Sequence, residues 1–211
     1  MTSNIVIIDY GVGNILSIKN AISFNGFESI VTSDPEKIRK ASHIVLPGVG
    51  AYPSAINKLR KMNLVTSIKE AKENNAYILG ICLGMQLLFS SSEEFQFTKG
   101  LNLIEGKIKK LNSLDRNVEL KLPNIGWRVL EREFQDHKLS ILKDIPNDSK
   151  FYFVHSFALQ NYKKETRVIN TNYMNIEFPA IVNFKNIFGC QFHPEKSRSQ
   201  GLKIIKNFLS L

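Results

Sequence analysis

Short apolar runs alternate with helix-like segments through the first half of the chain, and this alternation limits the possible folds more than any other feature. Strand-like runs lie at residues 5–9, 29–32, 43–46 and 77–81, and each is followed by apolar residues at helical spacing. Continuous apolar strands are typical of parallel sheets, which are buried on both faces. The order therefore predicts an α/β fold with an open, mostly parallel sheet flanked by helices.

The second half of the chain contains shorter strand-like runs separated by turn residues. These runs lie at residues 103–111, 118–122, 127–130, 151–159, 167–172, 180–184 and 187–192. A closing helix is expected at 201–209, and the long helical pattern at 52–74 is expected to break near Met62 and Asn63. The sequence contains no repeat, low-complexity tract or linker. We therefore expect a single domain over residues 1–211, with a β-rich second half.

The composition excludes several classes of protein. The chain has 211 residues, a formal net charge of +9 and two cysteines, too few for a disulfide framework. Its lysines and arginines are scattered along the sequence, so nucleic-acid binding is not expected. It has no apolar run of about eighteen residues that could cross a membrane. Because no basic leader precedes the first strand, we expect a cytoplasmic protein. We also expect neither a metal nor a cofactor.

Cys82 lies where a strand-like run meets a helix-like pattern, between Gly80 and Gly84. A strand-to-helix turn of this kind projects a side chain over the edge of the sheet, and the flanking glycines are expected to permit the tight bend. The N-terminus of the following helix favours the thiolate form of a cysteine. We therefore interpret Cys82 as a nucleophile, whereas Cys190, in another apolar run, is expected to be a small core residue.

His193 and Glu195 follow another strand-like run. Side chains two residues apart on a strand point to the same side, so the carboxylate is expected to orient the imidazole despite the intervening proline. A histidine near a thiol can take its proton, and a Cys-His-Glu set carries out acyl transfer through a thioester. A core cysteine and an ordinary His-Pro-Glu turn are the alternatives, and the glycines and strand context around Cys82 favour catalysis.

Three turns are expected at one edge of the sheet, because the carboxyl ends of parallel strands lie together. They are the turns at residues 11–14, at residues 47–50 and at Cys82. Thioester chemistry builds negative charge on a carbonyl oxygen, which N–H donors must hold. The N–H of Leu83, at the start of a helix, is a natural first donor, and the glycine-containing turn at 47–50 is suited to supply the second.

Two segments of this site resemble a known family. Gly-Ile-Cys-Leu-Gly-Met-Gln at 80–86 and Gln-Phe-His-Pro-Glu at 191–195 are similar to motifs of the class I, or triad-type, glutamine amidotransferases. Segments at 9–14, 46–51 and 152–156 are similar, in order and over essentially the whole chain, to the glutaminase subunits of imidazole glycerol phosphate synthases. The resemblance implies the flavodoxin-like class I glutaminase fold, with L-glutamine as the substrate.

The resemblance also implies roles for the residues of the site. Cys82 would attack the side-chain amide of glutamine, His193 would pass the proton to departing ammonia, and Glu195 would orient His193. Val49 and Leu83 match the amides of the oxyanion hole. Because a valine makes this loop bulkier than in related amidotransferases, we expect low turnover until a partner is present.

Five further positions match residues that contact bound glutamine in the family: Gly50, Gln86, Glu94, Ser156 and Phe157. Glu94 would face the ammonium group of the substrate, and the backbone around Ser156 and Phe157 would receive its carboxylate. The alternative for Gln86 and Glu94 is a solvated helix face.

A partner subunit is implied as well, namely a cyclase of (β/α)8-barrel type in a heterodimer. It would use the ammonia to form imidazole glycerol phosphate and an aminoimidazole carboxamide ribotide in histidine biosynthesis. Asn14, Trp127 and Lys196 match positions at the docking face, although Trp127 could equally lie in the core. The family usually has histidine and asparagine where this chain has Asn124 and Arg128, in the segment expected to face the synthase.

Other functions remain open at this point. The Asn124 and Arg128 substitutions favour a related glutaminase subunit that supplies a sugar amidotransferase in surface-polysaccharide synthesis. A cysteine peptidase or γ-glutamyl hydrolase would use the same three residues, but would leave Glu94 without an ammonium group to bind. A non-catalytic module of the same fold is a third alternative, against which the intact Cys-His-Glu set argues.

Overall fold

A mixed sheet lies at the centre of the protein, in a computed structural model that describes residues 4–112, 120–133, 136 and 138–211. Five strands are mutually parallel and two antiparallel strands complete one edge, so the predicted α/β architecture is confirmed. Within the described residues, the strands lie side by side in the order β11 (Arg167–Tyr173), β12 (Ile176–Phe184), β13 (Ile187–Cys190), β4 (Tyr77–Ile81), β3 (His43–Leu46), β1 (Ile5–Ile8) and β2 (Ile30–Thr32).

Helices cover both faces of this sheet. One face carries α1 (Ile15–Phe24) and α6 (Arg198–Leu209), and the other carries α2 (Pro35–Arg39), α3 (Tyr52–Lys61), α4 (Leu64–Glu73) and α5 (Leu83–Leu87). No helix in these parts of the chain is long and apolar enough to cross a membrane.

The continuous apolar strands are explained by this arrangement of layers. Successive side chains of a strand point to opposite faces, so a strand between two helical layers needs apolar residues at every position. In β1, Ile5 and Ile7 pack with α1 and α6, whereas Val6 and Ile8 pack with the helices of the other face.

The helix boundaries follow local signals in the sequence. The break expected at residues 62–63 separates α3 from α4, and Asn63 adopts a left-handed conformation with φ 57°. Asn is one of the few residues that tolerates this conformation. At the start of α2, the Asp34 carboxylate accepts a hydrogen bond of 2.9 Å from the backbone N–H of Glu36, and Pro35 occupies the first helical position.

The second half of the chain is rich in strands, as predicted. A second sheet contains β10 (Phe157–Gln160), β7 (Lys107–Lys110), β5 (Ser91–Ser92) and β6 (Thr98–Lys99), and β8 (Asn124–Val129) pairs with β9 (Lys150–His155). The expected strand at 118–122 lies partly outside the described residues, and 120–122 belong to no strand.

The strand expected at 151–159 is wrong in one respect, because the chain changes sheets at Ser156. Two hydrogen bonds account for the bend. The ring Nδ1 of His155 lies 2.9 Å from the carbonyl oxygen of Phe157, and the Ser156 carbonyl accepts from the N–H of Leu111 at 2.9 Å. Ser156 and Phe157 are thereby placed at a corner rather than within a continuous strand.

The strand expected at 103–111 is also shorter in the structure, where it begins at Lys107. The backbone N–H groups of Leu103 and Ile104 both donate to the carbonyl of Leu88, at 2.8 and 3.1 Å. The last carbonyls of a helix lack partners within the helix. The backbone N–H groups of residues 101–104 therefore bond to the carbonyls at the end of α5, and these residues do not join a sheet.

Close packing of glycines shapes the turn between β4 and α5. A β-carbon on Gly84 would overlap the carbonyl of Leu46, and one on Gly80 would lie 2.6 Å from the Cα of Met85. The same holds for Gly48, where a β-carbon would lie 2.6 Å from the backbone nitrogen of Gly84. The glycines around Cys82 thus permit close approach of backbone segments, whereas the left-handed residue of the bend is Cys82 itself, which corrects the expected role of these glycines.

We predict that Gly84→Ala lowers the free energy of unfolding by about 3 kcal/mol or more, because the new methyl group meets backbone that cannot move aside. Gly26→Ala is the control. Its β-carbon would meet open space, so only the strain of its positive φ of 83° is expected, about 1 kcal/mol. Urea unfolding measures both, and equal losses of stability would contradict the packing explanation.

Candidate active site

Cys82 occupies a strained turn between β4 and α5. Its φ is 53° and its ψ is −112°, a conformation that a non-glycine residue rarely adopts. The backbone N–H of Cys82 donates to the carbonyl of Cys190 at 2.7 Å, and its carbonyl accepts from the N–H of Gln86 at 3.2 Å. Strain held in place in this way is typical of functional residues. The thiol is largely buried, and the predicted strand-to-helix turn is present.

His193 and Glu195 lie beside each other after β13. The imidazole Nδ1 is 2.8 Å from the carboxylate Oε1 of Glu195, and both side chains are buried. The geometry differs from the expected strand, because residues 194–196 form a single 3-10 turn that starts at Pro194. Pro194 presets the backbone for such a turn. The turn is held by the hydroxyl of Ser197, which donates to the carbonyl of His193 at 2.6 Å.

The electrostatics of this group favour the imidazolium form of His193. Burial lowers the pKa of His193, but the Cys82 thiolate and the Glu195 carboxylate outweigh it and raise that pKa to about 9. The ring Nε2 of His193 is buried and has no hydrogen-bond partner among the described residues. A general base needs a nitrogen that is available in this way.

A cavity of about 690 Å³ contains both Cys82 and His193. All of the residues expected to hold glutamine or to form the oxyanion hole also line this cavity: Val49, Gly50, Leu83, Gln86, Glu94, Ser156 and Phe157. Its size is in the range of small-molecule sites. The structure therefore brings together residues from four separate parts of the sequence.

Glu94 and Gln86 are held by hydrogen bonds and are not on a solvated helix face. The carboxylate Oε2 of Glu94 accepts from the backbone N–H of Tyr52 at 2.8 Å, and burial raises the pKa of Glu94. The side-chain amide of Gln86 donates to the carbonyl of Phe157 at 2.9 Å and to Oε1 of Gln191 at 3.1 Å.

The turn at residues 11–14 lies beside the loop at residues 47–50 and does not line the cavity. The hydroxyl of Tyr10 donates to the carbonyl of Pro47 at 2.7 Å, so the first strand holds the start of that loop. The amine of Lys58 donates to the carbonyl of Gly11 at 3.0 Å. The expected common edge is thus confirmed, with residues 11–14 behind the site.

Seven residues at or next to the cavity are absent from the site expected from the sequence: Gln191 and the lining residues Phe95, Lys110, Leu122, Pro123, Val154 and His155. Gln191 is fully buried next to the cavity, and its side-chain nitrogen lies 3.9 Å from the sulfur of Cys82. Lys110 pairs with Phe157 across two strands, so their side chains share one face of the sheet. Gln191 and His155 had a signal in the sequence, since they belong to the family-like segments at 191–195 and 152–156, whereas Lys110 depends on the bend at Ser156.

The residues expected at a docking face surround the turn after His193. Asn14 precedes α1, which packs against that turn, and Lys196 is exposed directly after Glu195. Trp127 is 39% exposed, and the guanidinium of Arg198 lies 4.9 Å from its ring centroid. Trp127 is therefore a surface residue and not part of the core.

Asn124 and Arg128 lie on the inner side of β8. The amide of Asn124 is fully buried, and its Oδ1 accepts from Nε of Arg128 at 2.7 Å. The guanidinium of Arg128 also lies 4.4 Å from the ring centroid of Tyr173. The two substitutions therefore contact each other beneath the strand and are not part of its open face. Across the described ranges, no three His, Cys, Asp or Glu side chains are grouped as a metal site.

The sequence is similar to known proteins over nearly its whole length. Residues 6–211 match the family model for glutamine amidotransferase class-I. Imidazole glycerol phosphate synthase subunit HisH 1 of Legionella pneumophila (strain Paris) is 41% identical over 212 residues, which cover 99% of this chain and 100% of that protein. Subunit HisH 2 of Vibrio vulnificus (strain YJ016) is 44% identical, covering 97% and 93%. A crystal structure of a glutamine amidotransferase, 16% identical, has the same fold, with a TM-score of 0.74 and 97% of each chain covered.

We predict that Glu195→Gln slows alkylation of Cys82 by iodoacetamide about tenfold near pH 7, because loss of the Glu195 charge weakens, by about 1.4 kcal/mol, the imidazolium of His193 that stabilises the reacting sulfur anion. The glutamine keeps an oxygen for Nδ1 but removes the charge, so the pKa of His193 falls below about 9 and the imidazolium loses its proton at lower pH. Less imidazolium leaves less thiolate to react.

The alkylation assay reports on one sulfur, because Cys190 is fully buried. Cys82→Ala supplies the background rate. At a pH well above the ordinary thiol pKa, the wild type and Glu195→Gln should react equally fast. A difference that persists there would mean that the substitution changed the access to Cys82, and would contradict the electrostatic explanation.

Proposed function

Since this chain belongs to the class-I glutamine amidotransferase family, we propose that it is the glutaminase subunit of an imidazole glycerol phosphate synthase, acting in histidine biosynthesis. The observation that carries the proposal is that Cys82 and the His193–Glu195 couple meet at one cavity that is large enough for glutamine. The relatives that are 41–44% identical over the whole chain are HisH subunits, and they support the same function.

The reaction begins with attack on the side-chain amide of L-glutamine. The sulfur of Cys82 forms a bond to the amide carbon, and the carbonyl oxygen takes the negative charge. The imidazolium of His193 then gives its proton to the amide nitrogen, and the C–N bond breaks to release ammonia. A glutamyl thioester on Cys82 remains.

Hydrolysis of the thioester returns a proton to His193. Nε2 of His193, now neutral, takes a proton from a water molecule while the water oxygen bonds to the thioester carbon. The C–S bond breaks and the thiolate and imidazolium return, while the new carboxylic acid gives its proton to solvent and leaves as glutamate. Glu195 keeps the proton of the imidazole on Nδ1 throughout, because its carboxylate accepts from that nitrogen.

The oxyanion lies among backbone amides in this proposal. Leu83 is the first residue of α5, so its N–H has no partner within the helix and is free to bind an anion. The amide after Gly48, that of Val49, is the second donor. Both residues line the cavity that contains the sulfur.

The charged ends of glutamine require two complementary groups. We assign the ammonium group to the carboxylate of Glu94, which the Tyr52 backbone N–H already holds in place. The α-carboxylate goes to the backbone at Ser156 and Phe157, and to the amine of Lys110, which lines the same cavity. A peptide or a folate-like chain would not need both charges, so the pair favours a free amino acid.

A cyclase subunit is the proposed acceptor of ammonia, because ammonia released to water is largely protonated and is then no longer a nucleophile. We propose that it docks on the open face of β8 and the adjoining turn, near Asn14, Trp127 and Lys196. Ile125, Trp127 and Val129 form an exposed apolar row there, and the guanidinium of Arg198 lies 4.9 Å from the ring centroid of Trp127. The Asn124 and Arg128 side chains lie beneath this row, so they give no reason to prefer a sugar amidotransferase as the partner.

We predict that Cys82→Ser lowers glutamate release from glutamine by about a thousandfold or more, since a serine hydroxyl is a much weaker nucleophile than a thiolate. The assay follows glutamate with and without the cyclase subunit of the same genome. Cys190→Ala, which removes only the buried second thiol, should keep the wild-type rate. Cleavage of γ-glutamyl peptides by a wild-type protein that leaves glutamine intact would overturn the assignment.

We predict that Lys110→Met raises the KM for glutamine about fivefold with little change in kcat, as expected for a partly exposed ion pair with the substrate. The same substitution should not raise the KM for glutaminamide, which lacks the α-carboxylate. Lys109→Met is the matched control, because Lys109 pairs with Glu93 at 3.2 Å and is the strand neighbour of Lys110. An equal rise in the KM for glutamine and for glutaminamide would contradict the assignment of Lys110 to the carboxylate site.

A further inference from the structure

A chain of hydrogen bonds runs from β8 into the glutamine cavity. Nε of Arg128 donates to Oδ1 of Asn124 at 2.7 Å, and the amide nitrogen of Asn124 lies 3.0 Å from Nε2 of His155. Nδ1 of His155 lies 2.9 Å from the carbonyl oxygen of Phe157. Asn124 and His155 are buried, so these bonds are shielded from water.

Groups at both ends fix the direction of the bonds in this chain, since the guanidinium of Arg128 only donates and the carbonyl of Phe157 only accepts. A guanidinium can only donate, so it selects the oxygen of Asn124 and turns the amide nitrogen towards His155. That nitrogen also only donates, so Nε2 of His155 must accept and the ring proton must be on Nδ1. The proton on Nδ1 can then be donated to the carbonyl of Phe157.

His155 is suited to this role because it stays neutral. Burial is the main cause that lowers its pKa, to about 4, with smaller contributions from the positive charges of Arg128 and His193. The carbonyl of Phe157 acts in the opposite direction without restoring the usual value. A neutral imidazole with one donor and one acceptor matches both of its neighbours.

The chain continues from Phe157 to the nucleophile. The same carbonyl of Phe157 accepts from the side-chain amide of Gln86 at 2.9 Å, and that amide nitrogen lies 3.1 Å from Oε1 of Gln191. The amide nitrogen of Gln191 in turn lies 3.9 Å from the sulfur of Cys82. The carbonyl of Phe157 is therefore held by His155 on the side of β8 and by Gln86 on the side of Cys82.

We propose that Asn124, Arg128 and His155 are positioning residues that set the Ser156–Phe157 corner for binding glutamine, and that a subunit docked on the open face of β8 acts on glutamine binding through them. The proposal rests on the proposed function, which it deepens by naming how the partner reaches the site. Side chains alternate along β8: Ile125 and Trp127 face outward, whereas Asn124 and Arg128 face inward. A partner that moves the strand from outside must move the inner residues with it.

The kinetic test uses Arg128→Met, with Arg128→Lys as the rescue variant, because a lysine can still donate to Asn124. We expect Arg128→Met to raise the KM for glutamine about tenfold while Arg128→Lys stays near the wild type. The rate of Cys82 alkylation should not change, since the nucleophile and His193 keep their contacts. Arg60→Met, on a surface helix away from the cavity, is the matched control for loss of an arginine.

The partner effect is measured with the same variants. In the wild type, adding the cyclase subunit should change the KM for glutamine, and in Arg128→Met this change should be reduced at least threefold. A merely structural role would lower the melting temperature of Arg128→Met and Arg128→Lys together without separating KM from kcat. That result, or an unchanged KM in a folded Arg128→Met, would overturn the proposal.

A measurement on the wild-type protein tests the proposal even if the variants do not fold. Nitrogen NMR of the histidine-labelled protein at neutral pH should show His155 with its proton on Nδ1, and a proton on Nε2 would overturn the proposal. Failure of the proposed function looks different, because the wild type would then release no glutamate from glutamine with or without the cyclase subunit.

Discussion

The parallel pairing of β4 with β13 is the contact on which the site depends. It places Ile81 opposite Cys190, and the backbone N–H of Cys82 bonds to the carbonyl of Cys190. Cys82 and His193 are more than a hundred residues apart in the sequence, yet each follows the end of one of these two strands. Parallel strands end at the same edge, so a single strand pairing brings Cys82 and His193 into one cavity.

The positive charge of His193 in this cavity is balanced by the neighbouring carboxylate of Glu195 and not by solvent. Glu195 is buried against His193, and the pKa of His193 is raised although burial opposes the charge. Nearby, His155 is buried without a carboxylate and its pKa falls. Two histidines in one cavity thus take different protonation states, because only one of them has an anion beside it.

The sequence was sufficient where local patterns decide the structure. The apolar runs of β1, β3 and β4, the break at Asn63 and the turn at Cys82 all depend on residues close together in the chain. The sequence was insufficient where a hydrogen bond to a residue distant in the chain decides the local structure. The bend at Ser156 requires the N–H of Leu111, and residues 101–104 leave the expected strand because α5 needs their amides. Lys110 could not be assigned to the cavity from the sequence, because it reaches the site only through its pairing with Phe157 after that bend.

The glycines around the catalytic turn limit how the gene can change. Every single-base missense change of a glycine codon adds at least a side-chain carbon, and at Gly48, Gly80 and Gly84 such a carbon would meet neighbouring atoms closer than packing allows. These same atoms belong to the backbone that holds the sulfur in place. A missense mutation at these codons therefore lowers stability and displaces Cys82 together, so inheritance can vary the protein's surface far more freely than this small region.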